Sequence, residues 1–128
     1  MNDKFTFYRC EACGNLIMMI NDAGVTPICC GEPMTQLSAA IEDADAEKHV
    51  PVCHFSDDTV TVSIGSKPHP MSKEHQILWI CLQTTCGGHL CFLSPTDKPE
   101  AVFHLATGER PLRAYAYCNI HGLWVADR

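Results

Sequence analysis

The sequence lacks any apolar stretch long enough to cross a membrane. Its longest uninterrupted apolar runs cover residues 16–20 and 77–82, whereas a membrane-spanning helix needs about 20 apolar residues. The first residues also lack the basic segment and the following apolar segment of a secretory signal. We therefore expect a cytoplasmic protein with no membrane partner.

Positive charge is scarce. Nine Lys and Arg residues stand against 15 Asp and Glu residues, which gives a formal net charge of −6. Nucleic-acid binders derive most of their affinity from Lys and Arg, so the composition argues against such a partner. The 46% hydrophobic and 19% charged content is typical of a folded protein and excludes disorder.

Sustained helical periodicity is absent. Residues 59–64 instead alternate Thr or Ser with Val or Ile, which is typical of a strand with one buried face. Further short β-rich runs, separated by Gly and Pro, occupy residues 77–82, 90–93, 101–105, 112–118 and 123–125. Short strands at this spacing predict an all-β sandwich.

The composition divides the chain into three parts. Residues 1–37 hold four cysteines among short apolar stretches separated by glycines, and we interpret them as a small metal domain. Residues 38–48 are rich in alanine and acidic residues, as in a solvated connector. The β-rich pattern occupies residues 49–128, a length that suits one small domain.

Cysteine is abundant, and the first four cysteines have metal-ligand spacing. Cys10 and Cys13 form a C-x-x-C pair, and Cys29 and Cys30 follow after 15 intervening residues. Adjacent cysteines can bind one ion only if the backbone turns between them, because successive strand residues face opposite sides. A disulfide pair or buried free thiols is the weaker alternative, and zinc and iron both suit four thiolates.

A metal is also expected on energetic grounds. A domain of 37 residues cannot bury enough apolar surface to fold alone, and a structural metal is a usual solution below about 70 residues. The metal therefore stabilises this domain.

A second candidate site lies in the predicted sandwich. Its members each lie at a strand edge or in a loop, most of them beside a proline or in a C-x-x-H motif: His49, His69, His75, Cys118 and His121. A single histidine of this kind is usually a packed or surface residue. Five such ligands leave one octahedral position open, which favours a catalytic iron site.

These motifs together resemble the superoxide reductases of the desulfoferrodoxin type. Residues 8–34 resemble desulforedoxin in their C-x-x-C-G-N and C-C-G-E-P-M elements. The E-K-H-V-P, H-P-M and C-N-x-H-G-x-W signatures of superoxide reductases occur in residues 47–52, 69–75 and 118–124. The resemblance implies a desulforedoxin-like β domain followed by an immunoglobulin-like β-sandwich.

The resemblance also implies two iron ions per chain. The first is a rubredoxin-like iron with four cysteine ligands. The second is a square-pyramidal iron with four equatorial histidines and Cys118 as the axial ligand. This second iron reduces superoxide to hydrogen peroxide by one electron. By resemblance Glu47 caps the ferric iron after turnover, and Lys48 attracts superoxide and helps order a proton-donating water.

The resemblance further implies a homodimer, formed in part through the small domains, and an electron donor such as rubredoxin or a similar small redox protein. Two other functions remain open from the residues alone. One is an electron carrier or redox sensor that uses the four-cysteine iron. The other is a zinc-stabilised interaction module without redox activity.

The remaining cysteines and histidines match no ligand position of the family: Cys53, Cys81, Cys86, Cys91, His54, His89 and His104. Residues 84–91 could imitate a third metal site, but we favour buried thiols and a Gly87-Gly88 hairpin there. A regulatory disulfide is a further alternative.

Overall fold

The computed structural model describes residues 4–40, 49–65 and 68–127. This part of the chain contains twelve β-strands, and the prediction of an all-β fold is confirmed. Within the described residues there is no helix long and apolar enough to cross a membrane. The strands are β1 (Thr6–Arg9), β2 (Leu16–Met19), β3 (Ile28–Cys29), β4 (Glu32–Pro33), β5 (Thr35–Gln36), β6 (Pro51–Ser56), β7 (Thr59–Ile64), β8 (Ile77–Thr84), β9 (Gly87–Phe92), β10 (Glu100–His104), β11 (Pro111–Cys118) and β12 (Gly122–Asp127).

The chain forms two compact units, Met1–Ser38 and Ala39–Arg128. In the first unit the strands form a sheet of order β2-β1-β5 and a two-stranded sheet of β3 and β4. Its buried apolar side chains among the described residues are those of Phe7, Tyr8, Cys10 and Met34, of which the last three form one cluster. A core of this size contributes little to stability, so additional cross-links are needed to hold the unit together.

The second unit is a sandwich of a three-stranded sheet, β10-β7-β6, and a four-stranded sheet, β12-β11-β8-β9. The predicted alternation in β7 is present, since Val60, Val62 and Ile64 are buried between polar neighbours that are more exposed. Ile80 and Leu82 of the other sheet belong to the same buried cluster. Burial of such side chains, at about 25 cal/mol per Å² of apolar surface, holds the sheets together.

The cysteines outside the two candidate sites differ from our expectation in one respect. Cys81 is buried, and Cys53 and Cys91 are partly buried, but Cys86 is exposed. The expectation of buried thiols is wrong for Cys86, because this residue lies in the turn between β8 and β9. The hairpin therefore turns at residues 85–86, and the two glycines lie in β9.

A buried carboxylate joins the loop between β10 and β11 to strands β8 and β9. Glu109 accepts hydrogen bonds from the Thr84 hydroxyl and from His89 Nε2, the latter at 2.9 Å. It also accepts one from the backbone N–H of Ala106, at 3.0 Å. These bonds, of which that from Thr84 has the largest effect, lower the pKa of Glu109 from 4.5 to about 2.

This carboxylate should make the stability of the sandwich depend on pH. Because the folded-state pKa is depressed, the stabilisation is present above pH 4.5 and is lost as the pH falls towards 2. The difference corresponds to roughly 3 kcal/mol, at about 1.4 kcal/mol per pKa unit. In Glu109→Gln this part of the pH dependence should disappear, as measured by urea unfolding between pH 3 and pH 6 in buffers of about equal ionic strength.

The matched control is Glu100→Gln, which removes an exposed carboxylate in β10. It should retain the pH dependence of the wild type. If the free energy of unfolding of Glu109→Gln depends on pH as steeply as that of the wild type, this carboxylate does not cause the pH dependence.

Candidate metal centres

The sulfur atoms of Cys10, Cys13, Cys29 and Cys30 all lie within 4.8 Å of one another. The first pair follows β1, and the second pair lies at the turn between β3 and β4. Cys30 has a φ of 54° and the next residue, Gly31, has a φ of 76°. The backbone therefore turns at this pair, which lets two adjacent thiols approach the same point.

The electrostatics of this group favour a cation at its centre. The backbone N–H of Cys13 donates to Cys10 Sγ at 3.4 Å and lowers the pKa of Cys10 to about 6. By contrast, hydrogen bonding with neighbouring thiols, that of Cys13 above all, raises the pKa of Cys30 to about 12. Four thiolates at this spacing repel one another, so a bound metal cation is needed to hold all four.

The second group lies in the sandwich. One donor atom from each of His49, His75, Cys118 and His121 lies within 4.8 Å of the others. His49 Nε2 and His121 Nδ1 are 3.0 Å apart. The Cys118 sulfur is fully buried and accepts the backbone N–H of His121 at 3.4 Å. A thiol and three imidazoles thus converge at the end of the sandwich where β11 ends.

His69 borders this group without belonging to the 4.8 Å set. Its ring centroid lies 4.8 Å from that of His49 and 4.7 Å from that of His75. His69 Nδ1 donates to the Pro70 carbonyl at 2.7 Å, which leaves the lone pair on Nε2. That Nε2 is buried and has no hydrogen-bond partner among the described residues. Burial lowers the pKa of His69 to about 4, so the ring is neutral, as a metal ligand must be.

The surroundings of the sandwich group shield one side of it. Trp124 of β12 stacks on His49, with ring centroids 4.6 Å apart and an interplanar angle of 19°. His49 and Cys118 are buried, whereas His121 is exposed. The group is therefore accessible from solvent beside His121, which is what a small substrate requires.

Two predicted catalytic residues, Glu47 and Lys48, lie outside the described residues. Two residues near the site received no role from sequence reasoning, although both occur in the C-N-x-H-G-x-W motif. They are Asn119, whose side chain contacts the loop that carries His75, and Trp124. Their position inside a motif that carries two candidate metal ligands could have identified them from the sequence.

Comparison with known proteins agrees with this arrangement. The family model described as desulfoferrodoxin matches residues 41–127, and that of the desulfoferrodoxin N-terminal domain matches residues 2–37. The chain is 43% identical to a desulfoferrodoxin from Syntrophotalea carbinolica and 37% identical to one from Nitratidesulfovibrio vulgaris, with 99% of each chain covered in both cases.

Solved structures extend the likeness to the fold. The crystal structure of the superoxide reductase from Treponema pallidum matches with a TM-score of 0.84 at 32% identity, over 99% of this chain and 100% of that one. A one-iron superoxide reductase from Giardia intestinalis matches 64% of this chain and 97% of its own, with a TM-score of 0.56 at 30% identity. These matches and the two donor groups confirm the predicted relationship, fold and pair of iron centres, and the chain belongs to the desulfoferrodoxin family.

Proposed function

We propose that this chain is a superoxide reductase, which converts superoxide to hydrogen peroxide with one electron and two protons. The observation that carries the proposal is the convergence of imidazoles on one buried thiol, at a point that solvent reaches beside His121. The full-length likeness to a superoxide reductase structure supports it.

Each donor group would hold one iron ion. Cys10, Cys13, Cys29 and Cys30 would bind the first, and His49, His69, His75, Cys118 and His121 the second. The neutral His69 ring with its buried lone pair fits this role. Ferrous iron held by the second group would supply the electron.

The residues of the sandwich group perform three tasks. Cys118 provides a buried thiolate, whose charge the His121 N–H partly stabilises. Trp124 covers His49 and excludes water from that side of the group. The exposed His121 side admits the small anion.

Glu47 and Lys48 directly precede His49 in the sequence. We assign Lys48 to the attraction of superoxide and to ordering of the water that donates a proton. Glu47 would approach the open metal position after turnover. Their support is the match of both residues to the E-K-H-V-P signature.

The four-cysteine centre would exchange electrons with a small redox protein such as rubredoxin, since Cys13 and Cys30 are exposed. We divide the chain into a metal domain of residues 1–37, an acidic connector of residues 38–48 and a catalytic sandwich of residues 49–128. No disulfide joins any of the described cysteines, which supports the cytoplasmic location that we propose.

We also propose a homodimer formed in part through the first unit. This unit is small, yet it exposes several large apolar side chains: Ile17, Met18, Ile20, Val25 and Ile28. Exposed apolar side chains of this kind are typical of an interface. A strict monomer in sedimentation experiments would contradict it.

The proposed function is tested by the iron content and the visible spectrum. Two iron ions per chain are expected, with a red four-thiolate spectrum and a second thiolate-to-iron band at longer wavelength that appears when superoxide oxidises the reduced protein. Colourless protein would indicate the zinc-stabilised module. One iron with the four-thiolate spectrum alone would indicate the electron carrier.

The second-order rate of superoxide capture should fall as the ionic strength rises. The net charge of −6 opposes an anion, but at physiological ionic strength charges beyond about 8 Å are largely screened. Positive charge near the site should then govern the encounter, and Lys48 directly precedes the ligand His49. Lys48→Ala should slow the second-order rate by up to about tenfold and flatten its salt dependence, as measured by pulse radiolysis.

Arg110→Ala is the matched control. It removes a positive charge from the loop before β11, at the end of the sandwich opposite Cys118. Its rate and salt dependence should equal those of the wild type. A wild-type rate that rises with salt would show that repulsion by the whole molecule dominates.

A further inference from the structure

Three separate segments supply ligands to the sandwich group, and two of them carry all the candidate ligands except His49. Residues 69–76 form a loop before β8 that carries His69 and His75. Residues 118–121, which are the last residue of β11 and the turn that follows it, carry Cys118 and His121. The relative position of these segments determines whether their donor atoms meet. A residue that joins them directly therefore affects the geometry of the metal site.

The Asn119 side chain joins them on both sides of His75. Its Oδ1 accepts the backbone N–H of Gln76 at 2.9 Å, and its Nδ2 donates to the carbonyl of Glu74 at 3.0 Å. The Asn119 backbone N–H adds a third bond, to the carbonyl of Gln76 at 3.1 Å. The peptide groups that flank His75 are thus held by the residue that follows Cys118.

An amide is the side chain that suits this position. The position needs an acceptor for the Gln76 N–H and, on a second atom, a donor to the Glu74 carbonyl. An amide supplies both, whereas an ionised carboxylate has no donor and a hydroxyl has only one polar atom. The loop also has internal support, since Ser72 Oγ accepts the His75 N–H at 3.1 Å. That bond stabilises the loop but does not connect it to the turn at residues 118–121.

We propose that Asn119 is a positioning residue of the sandwich iron centre, which holds His75 against Cys118 and thereby determines how tightly the metal is bound. This inference rests on the proposed function in taking the group as an iron site. Partners that orient metal ligands typically affect metal affinity by about 10- to 100-fold.

The test compares Asn119→Ala with the wild type as two-iron proteins. The rate of iron release to a chelator is followed through the Cys118 thiolate-to-iron band, and the four-cysteine spectrum serves as an internal reference. Asn119→Ala should release the sandwich iron about 10- to 100-fold faster. Its thiolate-to-iron band should shift, while the four-cysteine spectrum stays unchanged.

Two further variants sharpen the comparison. Ser72→Ala removes the side-chain bonds within the loop but keeps its link to residue 119, so it should change iron release much less than Asn119→Ala does. Asn119→Asp keeps the acceptor for the Gln76 N–H and loses the donor to Glu74, so it should release iron at a rate between those of the wild type and Asn119→Ala. It also provides the test if Asn119→Ala fails to fold.

The outcomes separate the two proposals. The positioning role alone would be overturned if the wild type binds two iron ions and both Asn119 variants release iron at the wild-type rate with an unshifted thiolate-to-iron band. Equal acceleration by Ser72→Ala would also overturn it, because loosening of the loop would then suffice. A wild type that binds iron only at the four-cysteine centre would overturn the proposed function, and this inference with it.

Discussion

Replacement of Cys118 by Ser is expected to abolish superoxide reduction while the spectrum of the four-cysteine centre remains unchanged. Cys118 is fully buried at the end of β11, and its sulfur accepts the His121 N–H. A serine hydroxyl is not ionised at neutral pH and is a poor ligand for iron, so the metal loses its only sulfur donor in the sandwich. The rate should fall by more than about 100-fold, since loss of a direct ligand exceeds the loss of a ligand's partner.

The matched control for this experiment is Cys81→Ser. Cys81 is also buried in the sandwich, in β8, and burial raises the pKa of its thiol to about 12. It belongs to neither donor group of the described residues. Cys81→Ser should therefore lose some stability but retain activity when folded. Full activity of Cys118→Ser, measured by pulse radiolysis on iron-loaded protein, would contradict the assignment of the catalytic centre.

Much of the fold follows from apolar periodicity. The alternation in residues 59–64 predicted β7, because one face of that strand packs in the core and the other does not. Two other strands, β6 and β9, were harder to predict. In β6 a proline begins the strand and Cys53 and His54 obscure its pattern, and in β9 the pairing of Gly87 and Gly88 with β8 overrides their low strand propensity.

The donor residues were predictable from spacing and motif, but their positions were not. Nothing in the sequence states that His69 lies beside the group while its Nδ1 is held by the Pro70 carbonyl. The link from Asn119 to the loop before β8 depends on which segments the sandwich brings to one end, which is a tertiary property. The same holds for Glu109, whose partner Thr84 lies 25 residues away in the sequence.

The two halves of the chain should differ in how they depend on metal. The buried cluster of the first unit has three side chains, whereas that of the sandwich has twelve. A small core needs a metal to stay folded, but a sandwich with two packed sheets does not. Loss of the first metal should therefore unfold its own unit and leave the second unit folded.

Cys13→Ser tests this difference and the role of the four-cysteine centre together. Cys13 Sγ lies 3.7 Å from Cys29 Sγ, so its removal opens the group of four thiols. The variant should lose the red spectrum, and residues 4–37 should become susceptible to proteolysis. It should still reduce superoxide at close to the wild-type rate with an artificial electron donor, because the proposed catalytic iron site lies in the second unit and not in the first.

The control is Cys86→Ser, which replaces another exposed cysteine that lies outside both donor groups. It should retain the red spectrum, the protease resistance and the activity. Loss of activity in Cys13→Ser with iron still bound in the sandwich would mean that electrons must pass through the four-cysteine centre even from an artificial donor. In that case the first unit would be a required part of the catalytic cycle, and its metal would serve electron transfer in addition to folding.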